Sequence, residues 1–176
     1  VEAVVEPRLH VIDFLREEYE LSSPRVGCEH GVCGACTIRV DGQIVRGCLM
    51  LGVQLDGAEV QTLEGLNASS EIADLQKAFH ERNSMQCGYC TAGMLLTSQD
   101  YLQKNESCSR TGLREHLSGN YCRCTGYEAI IDGRTVYVNV ANIDAGELYT
   151  NIYLISYNQE AEQETTEFFS RLVSNW

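Results

Sequence analysis

The sequence predicts an α+β fold with a strand-containing N-terminal part followed by a helical part. In residues 37–40 and 43–46, apolar and polar side chains alternate as they do along strands, and residues 59–63 form another strand-like run. From Ser70 onward, apolar residues instead recur every three or four positions, which is the spacing of amphipathic helices. The chain has 176 residues, enough for one ordinary domain or two small ones.

The N-terminal part is predicted to contain a strand, a helix, a hairpin and a closing strand. Residues 1–6 form a short strand-like run, and Pro7 introduces a helix. The apolar face of that helix carries Leu9, Ile12, Leu15 and Tyr19. Two alternating segments, 37–40 and 43–46, flank Asp41-Gly42, which is the strongest short-range hairpin signal. Residues 59–63 are predicted to be the closing strand.

Four short helices are predicted after residue 66. Ser70 is the expected N-cap of the first, whose buried face carries Ile72, Leu75 and Phe79. The second begins at Cys87–Cys90 and runs to about Lys104, so that thiolates would lie at a helix N-terminus. The third spans about 110–117, with Ser109 or Thr111 as its cap, and a short fourth follows Thr125.

The composition indicates an acidic, folded protein rich in cysteine. There are 13 Lys and Arg against 25 Asp and Glu, giving a net charge of −12. Such a surface argues against nucleic acid or an anionic membrane as partner, because binding phosphate needs clustered basic side chains. No apolar run approaches the roughly 18–20 residues of a membrane helix, and no basic-then-apolar leader opens the chain.

The nine cysteines fall into two groups of four, with Cys108 left over as an expected free thiol. The first group is Cys28, Cys33, Cys36 and Cys48, and the second is Cys87, Cys90, Cys122 and Cys124. Disulfides, zinc sites and iron–sulfur clusters are the three interpretations. Disulfides are the least favoured, because the chain shows no secretion signal and is not a short loop-rich scaffold.

The first group has the spacing C-x4-C-x2-C, typical of plant-type [2Fe–2S] ferredoxins. Three thiolates must converge within nine residues, and the glycines at 27, 31 and 34 allow the chain to wrap a cluster tightly. A zinc ribbon would more often show two separate C-x2-C knuckles, and a Rieske centre needs two histidines. His30 is therefore predicted to be a loop surface residue and not a ligand.

The second group, C-x2-C and then C-x-C after 31 residues, fits zinc as well as a cluster by spacing alone. Glycines beside the ligands, and a first group of cluster type, favour a second cluster. Two [2Fe–2S] centres in one small chain would form an electron relay, since the chain shows no catalytic triad, Walker loop or G-x-G-x-x-G.

Three motifs resemble the iron–sulfur subunit of molybdenum hydroxylases, the group of xanthine dehydrogenase, aldehyde oxidoreductase and carbon monoxide dehydrogenase. They are GCEHGVCGACT at 27–37, QCGYCTAGM at 86–94 and SGNYCRCTGY at 118–127. The resemblance covers about residues 1–131. It implies a β-grasp ferredoxin-like domain over 1–66 and a four-helix [2Fe–2S] domain over 67–131. Family members begin with one more strand, so either the chain is truncated before Val1 or this strand is absent.

The resemblance also implies a direction of electron flow and two partners. The second cysteine group would hold the cluster nearer a molybdenum–pterin centre on a large subunit, with Gln86 and Cys124 at positions that bind the pterin. The first group would face FAD on a medium subunit. The chain would then serve hydroxylation of an aldehyde or N-heterocycle without substrate chemistry of its own. A reducing, cytoplasmic setting is expected, because every ligand must be a thiolate.

Residues 132–176 are a C-terminal extension of uncertain structure. Phe169, Leu172, Val173 and Trp176 have helical spacing, so this stripe could pack on its own domain, bind a partner subunit or belong to a disordered tail. Two other classes of function stay open. One is a free-standing ferredoxin-type carrier, and the other is a zinc-stabilised interaction module without redox function.

Overall fold

A computed structural model describes residues 3–105 and 109–132 of the chain. Helices and one small sheet make up this part, which confirms the α+β class. The predictions for Cys108 and for the extension beyond residue 132 lie outside the described residues. Within the described ranges, no helix is both long and apolar enough to cross a membrane.

The sheet has three strands: β1 (Thr37–Val40), β2 (Gln43–Arg46) and β3 (Val60–Gln61). Their order is β2-β1-β3, and β1 pairs antiparallel with both neighbours. Asp41 and Gly42 have φ of 48° and 75°, as a two-residue type I′ turn requires. The predicted hairpin is therefore confirmed in both bounds and turn. The closing strand, predicted over 59–63, is confirmed at residues 60–61, whereas Leu63 is the first residue of a helix.

The first helix, α1 (Val11–Glu17), begins later than Pro7 because His10 is its N-cap, with the side chain accepting from the Asp13 N–H. The predicted strand over 1–6 is wrong for its described residues, which are irregular. A turn in which the Leu9 N–H donates to the Glu6 carbonyl breaks the extended run. The chain then pairs only at one isolated bridge, between His10 and Leu51.

The first core lies between α1 and one face of the sheet. Burying each such apolar side chain contributes about 1.5–3 kcal/mol. Its buried members are Val11, Ile12, Phe14, Leu15, Cys36, Ile38 and Val40. Ile12 and Leu15 are on the predicted apolar face of α1. A cysteine of the first group is thus part of this core, which fixes that thiol relative to the sheet.

Four named helices follow the sheet: α2 (Leu63–Ala68), α3 (Ala73–Glu81), α4 (Thr91–Lys104) and α5 (Arg110–His116). Residues 128–132 are also helical. Their second core includes Leu66, Ile72, Leu75, Phe79, Met94, Leu95, Leu96, Leu113, Leu117, Ile130 and Ile131. The predicted second helix matches α4, whose N-cap is Cys90. Ser109 caps α5 by accepting from the Gly112 N–H.

Ser70 is not the cap of α3, and this prediction is wrong. Its φ of 60° is left-handed, and its carbonyl, not its side chain, accepts from the Ala73 N–H. The reason is that the unpredicted helix α2 ends just before it, so Ser70 makes the turn between two helices, with its own N–H donating to Asn67. The buried face of Ile72, Leu75 and Phe79 is confirmed, because packing and not the cap decides it.

Candidate metal centres

The loop between Gly27 and Cys36 folds back on itself and directs its amides at sulfur. Glu29 and Gly34 have φ of 54° and 74°, in the left-handed region. The backbone N–H groups of His30 and Cys33 both donate to Cys28 Sγ, each over 3.4 Å. This is the arrangement that an anionic sulfur needs, and the main chain of the short loop provides it.

The hairpin explains the spacing between Cys36 and Cys48. Because Thr37 pairs with Arg46, the hairpin brings the chain after Arg46 back beside Cys36, the residue that precedes the first strand. The Gly47 N–H then donates to the Cys36 carbonyl over 3.1 Å, and Cys48 follows in a single 3-10 turn. The first group is therefore assembled from one continuous stretch of chain, the loop and its hairpin.

Two thiols of the first group lie in opposite electrostatic environments. Hydrogen bonds from the Cys33 and His30 amides lower the pKa of Cys28 to about 6. Cys36 is 1% exposed, and burial raises the pKa of its thiol to about 12. A cation bound between them would replace the proton on Cys36, because metal ligation by cysteine needs the thiolate.

The second group is assembled from two segments of the chain. Cys90 and Cys122 are partly buried against the second core, whereas Cys87 and Cys124 are exposed with their Sγ atoms 3.5 Å apart. The hydroxyl of Thr125 donates to Cys122 Sγ over 3.1 Å. Tertiary packing, and not a local loop, brings these four thiols to the same end of α4.

In the second group, as in the first, some thiols have raised pKa values and others have lowered ones. Burial raises the pKa of Cys90 to about 12. Burial also opposes ionisation of Cys122, but hydrogen bonds from Thr125 outweigh it and lower the pKa. The Tyr89 N–H and the Cys124 thiol lower the pKa of Cys87, and the pKa of Cys124 rises because it keeps the shared proton.

Both cysteine groups fit [2Fe–2S] clusters by the chemistry of their donors. Each offers sulfur ligands that amide N–H or hydroxyl donors already face, which stabilises the negative charge of thiolates and sulfide. Across residues 3–105 and 109–132, no three Cys, His, Asp or Glu side chains converge closely enough to hold a single metal ion.

Gln86 and Cys124 lie next to each other on the exposed end of the second group. Gln86 Nε2 donates to the Cys124 carbonyl over 3.0 Å, which ties the start of one cysteine segment to the other. Both residues are exposed, so both are available to a ligand or a partner. His30 is exposed in the first loop, which confirms its prediction as a surface residue.

The two groups are joined by contacts that the sequence did not indicate. The Tyr121 N–H, next to Cys122, donates to the Cys33 carbonyl over 2.8 Å. The Tyr89 hydroxyl donates to the Val26 carbonyl over 2.6 Å. Both tyrosines adjoin predicted ligands of the second group, and they bond to the first loop or to the residue directly before it. Their position beside cysteines could have indicated that these tyrosines matter, but the spacing of the cysteines does not predict which residues they contact.

A direct backbone contact brings α4 against the first loop. A Cβ added at Gly93 would lie 2.1 Å from the Gly34 carbonyl oxygen, closer than two atoms can approach. Gly34 in turn has a positive φ, and a Cβ there would meet the Asn120 side chain at 2.6 Å. Only glycine fits at these two positions, so the loop and the helix that begins at Cys90 touch through main chain.

Two family models match the chain, and both describe cluster-binding domains. A 2Fe-2S iron-sulfur cluster binding domain matches residues 1–68, and a [2Fe-2S] binding domain matches residues 62–134. The chain is 47% identical over 135 residues to caffeine dehydrogenase subunit gamma of Pseudomonas sp. (strain CBB1), covering 75% of this chain and 81% of that subunit. The nicotine 6-hydroxylase small subunit of Paenarthrobacter nicotinovorans is 45% identical over 128 residues, covering 73% and 77%.

Comparison with solved structures leads to the same family as the sequence comparisons. Quinoline 2-oxidoreductase from Pseudomonas putida 86 superposes with a TM-score of 0.73 at 48% identity, covering 78% of this chain and 86% of that chain. Aldehyde oxidoreductase from Desulfovibrio gigas gives a TM-score of 0.74 at 34% identity, covering 81% of this chain and 16% of that chain. The chain belongs to the family of [2Fe–2S] iron–sulfur subunits of molybdenum hydroxylases.

Proposed function

We propose that this chain relays electrons from a molybdenum–pterin centre on a large subunit to FAD on a medium subunit. The observation that carries the proposal is a hydrogen bond that links the two cysteine groups. The Tyr121 N–H donates to the Cys33 carbonyl over 2.8 Å. When bound, a [2Fe–2S] cluster accepts and gives one electron at a time and has no substrate chemistry. The work of this chain is to hold two such centres close together.

Each cysteine group is assigned one cluster under this proposal. Cys28, Cys33, Cys36 and Cys48 would hold one in a β-grasp domain over residues 1–66, and Cys87, Cys90, Cys122 and Cys124 would hold the other in a four-helix domain over 67–131. The amides at Cys28 and the hydroxyl at Cys122 support this assignment, because both favour the ionised sulfur.

The exposed end of the second group is proposed to face the molybdenum–pterin subunit. Gln86 and Cys124 are neighbours there, with an amide and a main-chain segment open to a polar ring system. The first loop would face the flavin subunit. Val32 and Leu49 support a protein interface at this loop, because they expose 48% and 61% of their surface beside Cys33 and Cys48, as interface residues do.

An N-heterocycle is the proposed substrate class of the whole enzyme. The relatives and the structure at 45–48% identity are named for caffeine, 6-hydroxypseudooxynicotine, nicotine and quinoline. The aldehyde oxidoreductases are less similar, at 33–38% identity. A reducing, cytoplasmic compartment is part of the proposal, because eight reduced thiols must remain available as ligands.

Iron and sulfide analysis of the purified chain, combined with EPR of the reduced protein, tests the cofactor assignment. The expected result is about four irons and four sulfides per chain with two distinct signals. Zinc without sulfide would instead establish the interaction module. Co-purification from the native host tests the partners: two larger chains are expected, and a monomer that carries both clusters would establish the free-standing carrier.

The direction of electron flow is tested in the assembled enzyme with Cys124→Ala. Loss of this ligand from the second group should abolish substrate-driven reduction of the flavin. Flavin reduction by dithionite serves as the control, because that small reductant can bypass the molybdenum side. Substrate-driven reduction at the parental rate would show that the proposed order of the relay is wrong.

A further inference from the structure

Strand β1 is buried on both faces, and its two faces differ in chemistry. Ile38 and Val40 point into the first core, while Thr37 and Arg39 point to the opposite side. Arg46 lies on that same side, because it is directly opposite Thr37 in the register. This second face packs against α4, so the junction between sheet and helices is polar, and Thr37 and Arg39 are buried in it.

Arg46 reaches across this junction to the segment that precedes Cys122. Its guanidinium donates from Nη2 to the Gly119 carbonyl over 2.8 Å and to Asn120 Oδ1 over 3.1 Å. Its Nη1 also donates to the Thr37 hydroxyl of the neighbouring strand. A planar guanidinium that bonds three acceptors holds them in one fixed arrangement, which a flexible ammonium would not do.

Asn120 is the centre of the network and is only 1% exposed. Its Oδ1 accepts from Arg46 and from the Thr97 hydroxyl of α4, the latter over 3.1 Å. Its Nδ2 donates to the Gly34 carbonyl of the first loop over 3.3 Å. One buried side chain therefore bonds the hairpin, the helix and the loop at once, and the orientation of its amide is fixed by all three.

We infer that Arg46 and Asn120 are positioning residues that fix the separation and orientation of the two cysteine groups, an inference that rests on the proposed relay function. Gly34 lies directly after Cys33, and Asn120 lies two residues before Cys122. A displacement of the amide of Asn120 would move one predicted ligand of each group. The network also supports the Tyr121–Cys33 hydrogen bond, because Tyr121 follows Asn120 in the chain.

The same face of the sheet provides a matched control. Arg39 is 6% exposed and also bonds across the junction, to Gln61 and Glu71 over 3.1 Å and to Gln103 over 3.4 Å. Its partners lie on β3, before α3 and near the end of α4, away from the cysteines. Loss of Arg39 should therefore weaken the junction without changing the relation between the groups.

The experiment compares Arg46→Gln, Asn120→Ala and Arg39→Gln in the full chain loaded with iron and sulfide. Pulse radiolysis delivers one electron, and the rate of its redistribution between the clusters is followed by absorbance. EPR of the fully reduced chain reports the spin–spin splitting between the two centres. Arg46→Lys, which keeps the charge but not the planar fork, serves as the conservative variant, and thermal unfolding measures the loss of stability in each.

Arg46→Gln and Asn120→Ala are expected to slow the redistribution several-fold and to change the splitting, because both quantities depend steeply on the separation and orientation of the two centres. Arg46→Lys should restore part of the rate. Arg39→Gln should unfold at a lower temperature with the parental rate and splitting. If Arg46→Gln and Asn120→Ala both keep the parental redistribution rate and spin–spin splitting, this inference is wrong, and the proposed function is unaffected. A parent chain that binds no iron or sulfide would instead overturn the proposed function.

Discussion

The two cysteine groups solve the same chemical problem by different routes. The first is assembled within one loop and its hairpin, and its sulfur Cys28 accepts bonds from main-chain amides. The second combines two segments that lie 31 residues apart, and Cys122 accepts from a side-chain hydroxyl. The first group therefore depends on local backbone geometry, whereas the second depends on the packing of the helices around it. Mutations should affect the two groups unequally.

Removal of one buried ligand should separate the groups most clearly. Cys36→Ala is expected to abolish the cluster of the first group and leave that of the second, because the ligand sets share no residue. Iron should fall from about four to about two per chain. Iron analysis and EPR of the reduced chain measure this. Cys90→Ala is the matched variant on the other side, and loss of all iron in Cys36→Ala would show that the groups are not independent.

The contact between the loop and α4 should be the most sensitive point of the main chain. Gly93→Ala places a Cβ 2.1 Å from the Gly34 carbonyl oxygen, and the required shift should lower the free energy of unfolding by about 1–3 kcal/mol or more. Chemical denaturation measures the change. Gly65→Ala in α2 is the control, since nothing lies within 4 Å of its added Cβ. That variant should be stabilised by about 0.5–1 kcal/mol.

The hydroxyl donor of the second group can be removed, which is not possible for the amide donors of the first. Thr125→Val loses the bond to Cys122 Sγ, a charge-assisted interaction worth about 1.5–3 kcal/mol when the sulfur carries negative charge. The midpoint potential of the second cluster should fall, because the reduced form loses more stabilisation than the oxidised form. A redox titration followed by EPR measures both clusters. Thr125→Ser should keep the parental potential, and an equal shift in both clusters would contradict the prediction.

Glu64, in the first turn of α2, accepts hydrogen bonds from Ser23, which lies in the segment before the first loop. Burial raises its pKa, but bonds from Ser23 and Thr62 outweigh this and leave the pKa below its ordinary value of 4.5. A carboxylate with a depressed pKa in the folded state stabilises the fold above its ordinary pKa, and this stability is lost as the pH falls through the folded pKa. Glu64→Gln should therefore lower stability at pH 6 more than at pH 4.

The size of the Glu64 effect should be under about 1 kcal/mol, because the carboxylate is partly exposed to solvent. The thermal unfolding midpoints of parent and variant at the two pH values measure it. Asp56→Asn, an exposed carboxyl in the turn before β3, controls for general charge removal. An equal loss at both pH values would show that Glu64 acts only through packing.

The parts of the fold that the sequence predicted are those determined by local chemistry. Asp41-Gly42 allows a type I′ turn almost irrespective of context, so the hairpin was predicted with its bounds. Ser109 caps α5 through its own neighbour Gly112. By contrast, Ser70 has the composition of a cap, but its role depends on α2, a short helix with a single buried residue, Leu66, and little periodicity to detect.

The candidate sites show the same limit. Cysteine spacing predicted which thiols belong together, because ligands of one cluster must be close in space. The contacts that join the two groups are non-local, such as Asn120 with Gly34 across 86 residues. The alternation of β1 predicted a strand with one apolar and one polar face. Periodicity cannot distinguish a polar face open to water from one covered by a helix, and all four residues of β1 are buried.

The hydrogen-bonded junction between sheet and helices has a consequence for protein engineering. Apolar surfaces tolerate exchange of similar side chains, but a junction of directional bonds accepts only matching partners. Consider a hybrid that joins the N-terminal half of this chain to the C-terminal half of a relative. Its residue at position 120 would have to match Arg46, and its residue at position 93 would have to match Gly34. Interchangeability among these subunits therefore depends on junction residues other than the cluster ligands, and these four positions are among them.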